Sequence, residues 1–121
     1  MALSDPLTQI TVNAVTYDFA RVSFGDGKAV YKTANGLDTL TITHSAKNRL
    51  RDVVRFDRKK VAATPFDAAL NQEYVTSVYT VVDRPRNGVT AAEGDYLNQL
   101  LAAFWVQGTP DNGLRILQGE V

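Results

Sequence analysis

The strictest alternation of apolar and polar positions in the chain is Asp38-Thr39-Leu40-Thr41-Ile42-Thr43-His44. Successive side chains of a strand point to opposite sides of the pleat, so Thr39, Thr41 and Thr43 share one face and Leu40, Ile42 and His44 share the other. The segments around it follow the same period. Thr8-Gln-Ile10-Thr-Val12-Asn13 alternates, Phe19 to Phe24 forms a second strand, and Gly25-Asp26-Gly27 turns the chain into a third at Lys28 to Thr33. Asn35-Gly36 tolerates positive φ and turns it again into the threonine strand. After a short connection at Ala46-Lys47-Asn48 comes a fifth strand, with Leu50, Val54 and Phe56 on one side and Arg51, Val53, Arg55, Asp57 and Lys59 on the other. Antiparallel pairing of the fourth and fifth strands would join the threonine face to the basic one. Residues 61–72 contain Pro65 and keep no period, which reads as a loop, and Glu73 to Asp83 reads as a last long strand stopped by Arg84-Pro85-Arg86-Asn87-Gly88.

Beyond this point the period becomes helical. Thr90-Ala-Ala-Glu93 has the capping-box spacing, in which each side chain satisfies the other residue's backbone N–H, and it opens a helix over about residues 90–107. Leu97, Leu100, Leu101, Phe104 and Trp105 form its apolar stripe. Gly108 ends it, Thr109-Pro110 reads as an N-cap followed by proline at the first helical position, and Leu114, Ile116 and Leu117 mark a shorter helix over about 110–118. The expected fold is one α+β domain spanning residues 1–121: about six antiparallel strands between about 7 and 83, then two C-terminal helices on one face. Six strands at ~4.8 Å make a sheet ~24–29 Å wide, while two helices of ~10 Å diameter cover ~20 Å, so one chain does not roof its own apolar face. A dimer that exchanges helices would, and pairing strand edges across a two-fold axis would remove exposed edges.

Charge sharpens the picture. Lys and Arg number 13 and so do Asp and Glu, giving a net charge of zero, yet residues 1–46 sum to −1, residues 47–60 to +5 and residues 61–121 to −4. A basic segment anchored by Leu50, Val53, Val54 and Phe56 is a strand face rather than a loose arm, and such a face suits a polyanion. Absence of cysteine excludes disulfides, thiolate nucleophiles and Cys-containing zinc sites, and one histidine, His44, cannot build a His-rich site. On the apolar face, His44 is expected as a buried structural residue rather than a catalytic one. Gly25-Asp-Gly27-Lys28 lacks the spacing and the Ser/Thr of a phosphate-binding loop, and no carboxylate pair or nucleophile–base set stands out, so neither an enzyme nor a cofactor is expected. No apolar run is long enough for a membrane helix, and Met1 to Pro6 carries no basic start or apolar core of a secretory signal.

The ordered set of segments, with Leu40-Thr-Ile-Thr-His-Ser45, the basic strand entered through Lys47-Asn48-Arg49, the loop 61–72, the strand from Glu73 and the helix Ala91 to Phe104, resembles the coat proteins of single-stranded RNA bacteriophages, the leviviruses, from end to end. The resemblance implies an intertwined dimer with one continuous sheet and a shell whose interior is lined by the bare sheet face. That face would bind genomic RNA and an operator or packaging hairpin, with repression of replicase translation. Carried over position by position, the RNA-binding residues are Thr41, Thr43, Arg49, Arg51, Arg55, Lys59, Tyr74 and Thr76. The helix residues Leu97, Leu101, Phe104, Trp105, Leu114 and Leu117 form the dimer interface, and Thr64, Pro65, Phe66 and Asp67 form the loop between capsomers. Expected partners are further copies of the chain in an icosahedral capsid, single-stranded RNA and, in the native virion, a maturation protein, with no membrane. Assembly is expected in the cytoplasm of a bacterial host. Lacking cysteine, this shell would depend on noncovalent contacts.

In that reading Arg and Lys neutralise phosphates and release counterions, Thr41 and Thr43 offer hydroxyls, and Tyr74 stacks on an unpaired base. The alternative is a dimeric RNA- or DNA-binding module that uses the same face and builds no shell.

Overall fold

Asp26-Gly27 closes a two-residue turn, and Gly27 is required there twice over. Its φ is +65°, and a Cβ would lie 2.9 Å from the carbonyl oxygen of His44, whose N–H donates to the Gly27 carbonyl at 2.7 Å. At the next turn, Asn35 Oδ1 accepts from Thr33 Oγ1 at 2.7 Å and from the Leu37 N–H at 2.9 Å, the local Asx geometry that turns the chain at Gly36. These turns link antiparallel strands that lie side by side in chain order: β1 (Leu7–Val12), β2 (Val15–Gly25), β3 (Lys28–Lys32), β4 (Asp38–Ala46), β5 (Arg49–Ala63) and β6 (Asn71–Pro85). The helices α1 (Ala91–Val106) and α2 (Asn112–Leu117) follow. The computed structural model describes residues 3, 7–12, 14–66 and 69–120.

The six-strand meander and the two helices agree with the sequence reading; several boundaries do not. Val61, Ala62 and Ala63 stay in β5, opposite Glu73, Gln72 and Asn71, and Thr64 N–H donates to Leu70 O at 2.9 Å. The expected loop 61–72 thereby shrinks to residues 64–70, because backbone pairing continues where side-chain alternation has faded. Thr64, Pro65 and Phe66 sit in this connection with Phe66 fully exposed, whereas Asp67 lies outside the described residues. Thr90 and Glu93 form the expected capping box. The N-cap of α2 is Asp111 rather than Thr109, since the Asp111 carboxylate accepts from Leu114 N–H at 2.8 Å.

β2 pairs with β3 through a register shift between Arg21 and Ser23, and β1 with β2 through one between Leu7 and Ile10. From β4 to β6 the ladders are unbroken: Asp38↔Arg58 to Ala46↔Leu50, and Arg49↔Pro85 to Ala63↔Asn71. Residues directly opposite share a face, so even-numbered positions of these strands fall together on one side. There Tyr31, Leu40, Phe56 and Val78 make one row across four strands, and Phe19 meets Phe56 edge-on with ring centroids 5.9 Å apart. Phe19, Tyr31 and Leu40 form the buried core among the described residues. Asp38 is buried beside it, accepting from Arg58 Nε at 2.7 Å, and Arg58 also lies over the Tyr17 ring.

The helices meet this sheet at its β6 edge. Gly94 is buried where α1 passes Val82 and Arg84, and a Cβ there would come within 3.5 Å of Val82 Cγ1. The apolar stripe beyond Gly94 remains open: Leu97, Leu101, Phe104, Trp105, Leu114 and Leu117 are all exposed, from 39% for Trp105 to 83% for Leu117. On the sheet, Val54 and Phe56 are exposed as well. The chain presents 9438 Å² to solvent. A compact monomer of this mass would present about 6,450 Å², so roughly 3,000 Å² is surplus.

With so few buried side chains, each matters. Leu40→Ala is expected to destabilise the protein by about 2–5 kcal/mol, read as a lower urea midpoint; an unchanged midpoint would show that Leu40 contributes no core packing.

Candidate nucleic-acid interface

The odd-numbered side of the β4–β6 ladder carries Thr39, Thr41, Thr43, Arg49, Arg51, Arg55 and Lys59, arranged in rows that run across the strands. Val30, Thr41, Arg55 and Tyr79 are successive partners in one row; Lys28, Thr43, Val53 and Val81 in the next; Lys32, Thr39, Asp57 and Ser77 in a third. Neighbouring strands are ~4.8 Å apart, so the Thr41, Arg55 and Tyr79 backbones span ~10 Å. At one end Ser45, Arg51 and Asp83 form a shorter row with Arg49 beside it, and at the other Lys59 faces Val75. Thr41, Thr43, Arg49, Arg51, Arg55 and Lys59 thus lie on one continuous face.

Tyr74 and Thr76 do not join them. Their register partners are Lys60 and Arg58, on the side that carries Leu40 and Phe56. The expected placement of these two on the basic face is corrected by one step of parity, and Ser77 and Tyr79 stand on that face instead. Tyr79 is 64% exposed and lies opposite Arg55. Val78, an even residue, lies in the Phe56 row. Nor does the basic strand place all its charge on one face, because Arg58 and Lys60 are even residues of β5. Arg58 and Lys60 project to the helix side, where Arg58 serves the buried Asp38, whose hydrogen bond raises the guanidinium pKa, with Tyr17 adding to the effect.

His44 also departs from expectation. It lies on the even face but is not buried; its side chain is 61% exposed, with Nδ1 2.6 Å from Asp52 Oδ1, the residue directly opposite. The even face near the β4–β5 connection is simply not covered by this chain's helices.

The β5 cations that do face outward are each met by a carboxylate. Arg49 Nε lies 2.9 Å from Asp83 Oδ1 and Arg51 Nη2 3.4 Å from Asp83 Oδ2, while Lys59 Nζ lies 3.7 Å from Glu73 Oε1. Arg55 Nε donates to Asp57 Oδ1 at 2.9 Å and its Nη2 to Ser77 Oγ at 3.2 Å, and the Ser77 hydroxyl donates to Asp57 in turn. Among the described residues Lys28 and Lys32 make no salt bridge. The face therefore combines two unpaired lysines, hydroxyls from Thr39, Thr41, Thr43 and Ser45, an exposed ring and arginines paired with carboxylates. Such a set can neutralise phosphates, donate hydrogen bonds and stack a base. Among the described residues, no group of three His, Cys, Asp or Glu side chains could hold a metal ion.

The Asp57 carboxyl titrates below the usual carboxylate range, chiefly because Ser77 donates to it and secondarily because Arg55 does. A depressed folded pKa means that the stabilisation is complete above the unfolded value of about 4 and is lost as pH falls through the folded value. Ser77→Ala should raise the Asp57 pKa toward its ordinary value in a carbon-detected NMR titration; an unmoved titration would show that the hydroxyl does not hold this carboxylate.

Comparison with known proteins fits this architecture. The sequence matches the family of the phage phiCb5 coat protein over residues 4–85, while no curated protein gives a significant match. The fold is similar to that of the virus-like particle of bacteriophage AVE019, with a TM-score of 0.78 at 11% identity over 88% of this chain and 89% of that one. The virus-like particle of Beihai levi-like virus 21 follows, with a TM-score of 0.69 at 12% identity over 89% and 90% of the two chains. That of bacteriophage ESE058 gives 0.63 at 14% identity over 89% and 90%. At such identities the structures establish the shared fold, a six-strand antiparallel sheet followed by two helices. The sequence match spans more than half of the chain and establishes the family: this protein belongs to the phage phiCb5 coat protein family and is a levivirus-type coat protein.

Proposed function

We propose that this coat protein dimerises through its β6 edge and its helices, and that the dimers close into an icosahedral shell with the odd-numbered sheet face turned inward onto single-stranded RNA. The observation that carries the reading is the surplus surface: the chain exposes 9438 Å², about 3,000 Å² more than a compact monomer of its mass. Obligate homodimer interfaces bury about 2,000–5,000 Å² in total and resemble a core cut in half. The two uncovered apolar surfaces, the helix stripe and the Val54–Phe56 side of the sheet, are of a kind that fit each other when α1 crosses onto a second copy. β6 is a sheet edge of 15 residues, and pairing it with its own copy would satisfy the free backbone groups. The helices then roof the outside and leave the Thr41–Arg55–Tyr79 row for RNA. Capture of an operator hairpin, repression of translation, company of a maturation protein and assembly in the host cytoplasm are the finer parts of this reading.

Light scattering of the purified protein should give particles of megadalton mass, and a compact dimer as the only species would favour a nucleic-acid-binding module without a shell. Replacing Arg51 and Arg55 with alanine should weaken RNA binding and make the slope of log K against log salt shallower by about one for each phosphate no longer neutralised. Unchanged binding would remove this face from the site. Tyr79→Ala, measured on intact dimers, should cost about 1–3 kcal/mol of single-stranded RNA affinity, and Tyr74→Ala should cost none; the reverse ranking would turn the sheet over.

A further inference from the structure

We propose that Arg49, Arg51 and Asp83 form a phosphate site held closed by its own aspartate, and that an RNA phosphodiester enters by displacing the Asp83 carboxylate. This rests on the reading of the odd-numbered face as the RNA surface. Asp83 engages both arginines at once, Oδ1 with Arg49 Nε at 2.9 Å and Oδ2 with Arg51 Nη2 at 3.4 Å. A phosphodiester offers the same pattern, two oxygens sharing one negative charge, so a cradle shaped for this carboxylate is shaped for a phosphate. Arg86 Nη1 also donates to the Lys47 carbonyl, which ties the segment after β6 to the β4–β5 connection and gathers Lys47, Arg49, Arg51 and Arg86 at one end of the sheet.

Exchange is cheap at this position and not at Arg55 or Arg58. Arg49, Arg51 and Asp83 have side chains 55%, 58% and 35% exposed, and ion pairs in that setting contribute little because water already screens them. Asp57 is also held by Ser77 and is only 22% exposed, so Arg55 is anchored rather than released. Asp38 holds Arg58 from the buried side of the sheet. Asp83 therefore acts as an internal competitor: it cancels positive charge until RNA arrives, and so lowers affinity for polyanions that reach the arginines only singly.

The test is the salt dependence of binding of a single-stranded RNA oligonucleotide to purified dimers of wild type and Asp83→Asn. The variant should bind about 3- to 10-fold more tightly at low salt, with a slope steeper by about one, because both arginines then neutralise phosphate without first giving up a carboxylate. Adding Arg51→Ala to Asp83→Asn should abolish the gain. Wild type supplies an independent reading: Arg49, and secondarily Arg51, hold the Asp83 carboxyl below the usual range, and its NMR titration should rise on RNA binding as the arginines turn away. Equal or weaker binding by Asp83→Asn at an unchanged slope, or an Asp83 titration indifferent to RNA, overturns the proposal. The two readings fail separately: if Arg51→Ala with Arg55→Ala weakens RNA binding while Asp83→Asn changes nothing, only the closed site is wrong. If the arginine variant also binds as wild type does, the RNA face falls and the closed site with it.

Discussion

The unbroken antiparallel ladder from β4 through β6 is the constraint on which the rest depends. With no bulge in either pairing, side-chain parity is transmitted from the threonine strand to the far edge, and every odd residue is committed to one face. Backbone hydrogen bonding, which reads no side chains, thereby gathers Thr41, Thr43, Arg51, Arg55 and Tyr79 on one surface and Leu40, Phe56 and Val78 on the other. A single bulge in β5 would exchange Tyr79 for Tyr74 and mix the two surfaces. The β2–β3 pairing shows the contrast: its shift at Arg21–Ser23 changes parity, so that Arg21 and Phe24 both fall on the core side.

The second constraint is a shortage of cover. A six-strand sheet is wider than two helices, and α1 lies at the β6 edge with Gly94 buried beside Val82 and Arg84. Most of the apolar even face and most of the helix stripe are consequently left without partners in the same chain. The buried core is correspondingly small, Phe19, Tyr31 and Leu40, and the proposed dimer would give the remaining apolar surface its cover.

Much of this was legible in the sequence. Strict alternation in 38–44 and the capping box at Thr90–Glu93 identified β4 and α1, and the basic segment 47–60 was recognisably a strand because Leu50, Val54 and Phe56 keep one parity. β6 was legible as a strand but not as to face. Tyr74, Val75, Thr76, Ser77, Val78, Tyr79, Thr80 and Val81 carry apolar or aromatic residues at both parities, so only the register with β5 distinguishes them. That register depends on where the connection closes, at Ala63↔Asn71, within a stretch whose alanines give no period. The carboxylate partners of the arginines were hidden for the same reason, since Asp83 stands 32 residues from Arg51 in the chain. The exposure of His44 was hidden because alternation assigns a residue to a face without saying whether that face is roofed.

Ultraviolet crosslinking of RNA within assembled particles, with the adducts mapped by mass spectrometry, distinguishes the two faces of the sheet. Adducts are expected on Tyr79 and on the lysines of the same face, Lys28, Lys32 and Lys59, with Tyr74 and Lys60 unmodified. Adducts confined to Tyr74, Lys60 or the helices would contradict this assignment of the RNA face.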